Sequence, residues 1–294
     1  VPNPSYPIHA FGFIIAGAAI RHIPIGPGVD FMREIARATR HSVPPPTAIV
    51  LNFPSNPTAQ VVDRAFYEEI VAFARRHEIW LLSDIAYSEI FFDDPPPSIL
   101  EVEGGRDVAV EFSSLSKTYS MPGWRIGFAA GNRHLIQALT RIKSYLDYGA
   151  FTPIQVAATA ALNGPQDCVE EIRTHYRARR DVLIDGLNAA GWPVPSPPAT
   201  MFAWAPLPPA FREMGSLDFA KLLLEEANVA VSPGVGFGEH GDGFVRLALV
   251  ENRHRLRQAV RNIKIFLARH GNRTAATPLT APEDTDEEAA EVPS

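Results

Sequence analysis

The sequence predicts an α/β protein: a largely parallel, doubly wound sheet followed by a smaller C-terminal α/β domain. Two observations carry this expectation. Between residues 47 and 130 short apolar runs alternate with amphipathic helical patterns, the rhythm that folds into parallel sheets. After Pro165 the rhythm gives way to a long charged helical stretch, a proline-rich passage and a second set of strands. The expected boundaries are 1–165, 166–270 and a tail at 271–294.

Each element has its own local reason. Residues 7–19 are apolar on too many sides for a surface helix and are expected to be buried. Asp30 stands where a carboxylate caps a helix running to about Arg40. Residues 47–53 read as a strand closed by the turn Pro54-Ser55-Asn56-Pro57. Asp63 caps the next helix, whose Phe66, Ile70 and Phe73 share one face. The short apolar runs at 79–82, 108–112 and 126–130 are typical of strands covered on both faces. A long helix is expected at 166–190, with Val169, Ile172, Tyr176, Leu183 and Leu187 on one stripe. Strands follow at 200–205, 229–232 and 244–249, with a helix at 217–228. The final helix buries Leu256, Val260, Ile263 and Leu267.

Composition excludes several classes. The chain has 294 residues, 46% hydrophobic and 20% charged, so disorder throughout is ruled out. Its net charge of −6 is concentrated in the tail, where Glu283, Asp284, Asp286, Glu287, Glu288 and Glu291 face only Arg273. That tail reads as a disordered acidic end. The nearly neutral body has no basic field for phosphate backbones, so no nucleic-acid partner is expected. The most apolar run, residues 11–20, is too short to span a bilayer and is closed by Arg21, so no membrane partner is expected either. The single Cys168 excludes a disulfide framework, fits a reducing, cytoplasmic setting and is expected to be a small packed side chain. His9, His22 and His41 lack metal-ligand spacing, so no metal is expected. The opening Val-Pro-Asn-Pro-Ser-Tyr-Pro reads as mid-chain, the start of a fragment or a processed chain.

Ligands of open parallel sheets sit beyond the carboxyl ends of the strands. The first strand delivers Asn56 there, the second Asp84 with Tyr87, and the third Ser113-Ser114-Leu115-Ser116-Lys117. Singly, these are a turn, a cap and a loop charge. Together they suit pyridoxal phosphate, which needs a lysine for covalent attachment and a carboxylate against its pyridinium nitrogen. Asp84 would favour the protonated ring, because a nearby negative charge stabilises a cation. Asn56 and Tyr87 are placed to hydrogen-bond the ring oxygen. Arg125, eight residues after Lys117, is placed to hold the phosphate with Ser114 assisting.

The stretch Ser-Leu-Ser-Lys117-Thr-Tyr-Ser-Met-Pro-Gly-Trp-Arg125-Ile-Gly resembles the cofactor-lysine signature of class I aminotransferases of fold type I. The resemblance extends through Asn-Pro-Ser-Tyr6-Pro, Pro-Ser-Asn56-Pro-Thr, Asp84-Ile-Ala-Tyr87 and Phe-Val-Arg246-Leu-Ala-Leu. It implies that Tyr6 stacks on the cofactor ring and that Arg246, with Asn56, clamps the substrate α-carboxylate. It also implies catalytic roles for Lys117, Asp84 and Tyr87, a homodimer, and amino-acid and 2-oxo-acid substrates. The stretches Tyr145-Leu-Asp-Tyr148-Gly-Ala-Phe-Thr-Pro-Ile-Gln and Val-Ser-Pro-Gly-Val-Gly-Phe-Gly look like those of bacterial alanine (glutamate–pyruvate) aminotransferases. The expected reaction is alanine + 2-oxoglutarate = pyruvate + glutamate. Tyr145 and Tyr148 stand as pocket or interface residues.

Three alternatives stay open: a diaminopimelate or aromatic aminotransferase, a lyase of the same fold type, and a regulator domain that binds pyridoxal phosphate as a ligand. Against the family pattern the large domain looks incomplete at its N-terminus, lacking part of the phosphate cradle at a helix start. The chain alone is therefore expected to bind cofactor weakly. Gly234, Gly236, Gly238, Gly241 and Gly243 crowd one loop, but a strand rather than a helix follows, so a nucleotide cradle is not expected.

Overall fold

The computed structural model describes residues 1–270, so the tail expected to be disordered lies outside the described residues. At the start, β1 (Pro2–Asn3) pairs in parallel with β2 (Ile23–Pro24), joined through α1 (Ile8–Ile15). Then α2 (Phe31–His41) begins at Asp30, whose carboxylate accepts from the Arg33 amide at 3.0 Å. The first large sheet takes β3 (Ala48–Asn52), β4 (Trp80–Asp84), β5 (Ala109–Ser114) and β6 (Gly127–Gly131) in that order. The first three are parallel and β6 runs antiparallel to β5.

Between these strands lie α3 (Arg64–His77), the short α4 (Gly105–Val108) and, directly after β5, the single turn α5 (Leu115–Thr118). Asp63 caps α3 by accepting from the Phe66 amide at 2.9 Å. Leu51, Leu81 and Ala109 of the strands meet Tyr67, Ile70 and Ala74 of α3, all without measurable exposure. Each such large apolar side chain contributes roughly 1.5–3 kcal/mol through burial. That core fixes the register in which Asn52 lies opposite Asp84 and Asp84 opposite Phe112, so the strands end level.

The helices α6 (Arg133–Leu146) and α7 (Thr152–Asn163) lead to the 23-residue α8 (Asp167–Ala189). A second sheet, in the order β7-β9-β8, is antiparallel and built from β7 (Phe202–Pro206), β8 (Ser232–Pro233) and β9 (Phe244–Ala248). It packs with α8, α9 (Ser216–Ala227) and α10 (Arg253–His270) around Leu187, Trp192, Phe219, Ile263 and Phe266.

The structure corrects four expectations. The strand expected to be covered on both faces at 126–130 forms as β6, but Gly127, Phe128 and Ala130 stand exposed, because no described element covers them. The helix expected to be buried at 7–19 ends at Ile15 and buries only His9; Phe11, Ile14 and Ile15 stand exposed, because no described element covers its outer side. Cys168 is exposed rather than packed, since it lies one helical step off the stripe that buries Val169. The strand expected at 229–232 shrinks to Ser232–Pro233. Asn228 ends α9 in the left-handed region at φ 53°, and the Val229 amide turns back to the Leu223 carbonyl, so these residues close the helix instead.

Candidate active site

The level ends of β3, β4 and β5 bring the candidate residues together. Asn52, at the end of β3, does two things with one buried amide. Its Nδ2 donates to the Asp84 carbonyl at 3.0 Å, and its Oδ1 accepts from the Asn56 amide at 2.9 Å. The turn bearing Asn56 is thereby tied to the strand bearing Asp84. Asp84 is held on both oxygens: Oδ1 accepts from the Ala86 amide at 3.0 Å, and Oδ2 lies 2.9 Å from His9 Nε2. The other ring nitrogen of His9, Nδ1, lies 3.4 Å from Ser5 Oγ, and Tyr6 meets the imidazole edge-on at 5.8 Å.

Tyr87 is buried against Phe202, with ring centroids 5.7 Å apart. Burial pushes its phenol well above the usual tyrosine value, opposed by Arg246 and reinforced by Asp84 and Tyr6. Lys117 sits on α5, whose first turn is capped by Ser114 Oγ accepting from the Ser116 amide at 3.2 Å. Partial burial holds the Lys117 amine below the ordinary lysine value, and the positive charges of Arg125 and Arg246 add to the effect. Arg125 is exposed, takes φ 51° and donates Nη1 to the Pro122 carbonyl at 2.9 Å.

Arg246 reaches across from β9. Its Nη1 donates to Asn56 Oδ1 at 2.7 Å and its Nη2 to Ser232 Oγ at 3.4 Å, while its Nε–H is buried without a partner. Burial lowers its pKa, opposed by Tyr87 and Tyr6. Tyr145, in the last turn of α6, and Tyr148, just beyond it, are 80% and 91% exposed. Two cavities, of about 420 and 540 Å³, are lined by neither Lys117, Asp84 nor Arg246, although Ser114 lines the second.

The donor set fits pyridoxal phosphate. It offers an amine of depressed basicity, a carboxylate anchored on both oxygens, a phenol beside it, and a guanidinium with an unpaired buried N–H. Sequence reasoning passed over His9, Asn52, Ser232, Phe202 and Phe237. His9 had a legible signal, standing three residues after Tyr6 at the start of an apolar helix, and was weighed only as a metal ligand. Asn52 had one too, an amide ending an otherwise apolar strand.

A mostly parallel sheet that gathers an amine and a carboxylate at its strand ends, met by a guanidinium from a second sheet, is a framework on which cofactors bind. The chain belongs to the class I and II aminotransferase family, whose model matches residues 1–263. Enzymes of this family use pyridoxal 5′-phosphate. The chain is 64% identical over 268 residues to the putative aminotransferase AatC of Rhizobium meliloti, covering 91% of this chain. It is 56% identical over 272 residues to the glutamate–pyruvate aminotransferase AlaC of Escherichia coli, covering 92%. It spans 66% of the length of each of these relatives. Among solved structures, apo BacF of Bacillus subtilis superposes with a TM-score of 0.85 at 35% identity, over 90% of this chain and 70% of that one. Among the described residues no helix is long and apolar enough to cross a membrane.

Proposed function

We propose that this chain carries the transamination site of an enzyme that moves an amino group between an amino acid and a 2-oxo acid, with alanine and 2-oxoglutarate as the preferred pair. The observation that carries the reading is the Arg246–Asn56 bond, which joins the β9 guanidinium to the turn tied through Asn52 to Asp84, close enough to Lys117 to lower its basicity. The choice of alanine is supported by the relative AlaC.

Pyridoxal phosphate, when bound, supplies an electron sink for the bond broken at the substrate Cα. The chain's own residues divide the remaining work. Lys117 would hold the cofactor, and its Nζ would move the proton at the substrate Cα; its lowered basicity favours the free amine. Asp84, fixed by His9 and the Ala86 amide, would supply the negative charge that keeps the ring nitrogen protonated. Tyr87 and Asn56 would hydrogen-bond the ring oxygen, and Tyr6 would pack on the ring. Arg125 would hold the phosphate with Ser114, whose Oγ accepts a backbone bond yet keeps its own O–H to donate. Arg246 binds the substrate carboxylate.

The proposal extends to architecture. Two separate cores support large and small domains at 1–165 and 166–270, with α8 connecting them. Exposed Ile142, Tyr145, Leu146, Tyr148 and Phe151 around the α6–α7 connection support a homodimer. A single thiol suits a cytoplasmic setting.

The test is a donor panel on the holoenzyme at its full natural length. Alanine with 2-oxoglutarate should give the highest kcat/KM, and Lys117→Ala should abolish the borohydride-reducible adduct. Much faster turnover of diaminopimelate or aromatic donors would overturn the pairing, and failure to transfer an amino group from any donor would overturn the activity.

A further inference from the structure

The glycine-crowded loop between β8 and β9 carries Phe237, whose ring meets Arg246. The Arg246 guanidinium carbon lies 4.6 Å from the Phe237 ring centroid and 4.0 Å from that of Phe202. Behind it, Phe237 meets Trp204 edge-on at 5.9 Å, and Trp204 stacks on Phe244 at 5.3 Å with the rings 7° apart. The ring facing the guanidinium is therefore backed by two further aromatics on β7 and β9.

The loop is also pinned to the N-terminal segment that carries Tyr6. The Ser5 amide donates to the Phe237 carbonyl at 2.9 Å, and the His240 amide donates to Asn3 Oδ1 at 3.2 Å. Gly238 makes this contact possible: at φ 128° it lies so close to the Asn3 amide that a Cβ would collide with it. The loop thus joins the wall beside Asp84 to the guanidinium on β9.

We infer that Phe237 is a positioning residue for the Arg246 guanidinium: its ring and its pinned loop fix the plane in which the free Nε–H and remaining Nη–H meet a carboxylate. The inference rests on the reading of Arg246 as the substrate-carboxylate clamp. A guanidinium bonded on two nitrogens still rotates about its stem unless its faces are filled, and an aromatic face fills one while attracting the cation. It also keeps water off the cation, which strengthens its bond to an incoming anion.

The test uses the full-length holoenzyme and glutarate, a carboxylate probe with no amine to react. Phe237→Leu keeps an apolar side chain but removes the ring, and should weaken glutarate binding about tenfold by calorimetry. KM for alanine and for 2-oxoglutarate should rise together while kcat moves within about twofold. Cofactor absorbance per chain should stay at the wild-type level, and Phe237→Tyr should restore glutarate binding. Gly238→Ala, which pushes the loop off Asn3, offers a second route to the same rise in KM. Wild-type glutarate affinity in Phe237→Leu, with Arg246→Gln losing that affinity, would overturn the inference and leave the clamp standing. Undiminished binding in Arg246→Gln would overturn the clamp itself, and the inference with it.

Discussion

Lys117 illustrates how one residue's environment sets its chemistry. It lies partly buried, within the field of two guanidinium groups, and all three causes push its proton off. Folding therefore costs most where the amine is charged in both states, below the depressed pKa. The cost fades as pH rises from that value towards the unfolded value of about 10.4, above which both states are neutral. Replacing Lys117 by Met, in protein freed of cofactor, should raise the urea midpoint at pH 7, with the gain shrinking by pH 10. A gain that stayed constant with pH would show that packing, not charge, separates the two proteins. The residues at strand ends were legible in the sequence because each follows an apolar run, and a parallel sheet collects what its strands carry at one edge. His9 was legible as a polar residue opening an apolar helix, but its partner was not, and neither was that of Phe237. His9 acts on Asp84 across 75 positions of chain, and Phe237 acts on Arg246 through a loop whose shape depends on Asn3. No local pattern encodes either meeting.

At the scale of elements, helix starts were plain and helix surroundings were not. Asp30 and Asp63 announced α2 and α3 because a cap is a local bond, made three residues on. The burial of α1 was misread because periodicity reports which faces are apolar and not what covers them. The end of α3 makes a measurable case. Glu78 closes it in the left-handed region at φ 55° and ψ 42°, exposed, with its amide and that of Ile79 both returning to the Ala74 carbonyl. A residue with a Cβ pays about 1 kcal/mol for that conformation, and glycine does not. Glu78→Gly should therefore stabilise the protein by about that amount in chemical denaturation, with cofactor binding unchanged. Lower stability would mean that the Glu78 side chain makes a contribution larger than its backbone strain.

Across the whole molecule, α8 straps the second core to the first. Arg173 donates Nε to the Glu89 carbonyl at 3.2 Å, pairs with Glu89 and Glu170, and lies 3.8 Å over the Phe91 ring. Those contacts hold the segment just after Tyr87, so Arg173→Ala should cost about 1–2 kcal/mol, and Arg173→Lys should recover little because ammonium cannot stack and fork together. Around the α6–α7 connection Tyr145, Leu146, Tyr148 and Phe151 are each more than two-thirds exposed, a density of large apolar groups rarely left in water. In the proposed homodimer a second copy covers them, and burying them would supply the apolar centre such an interface needs. The double variant Tyr145→Glu/Tyr148→Glu places two charges there, each of which would lose its water on association. In the full-length holoenzyme its sedimentation equilibrium should move from dimer towards monomer, while the helical circular dichroism of the chain stays as it was. A variant that remained as dimeric as the parent would show that this face meets something other than a second copy.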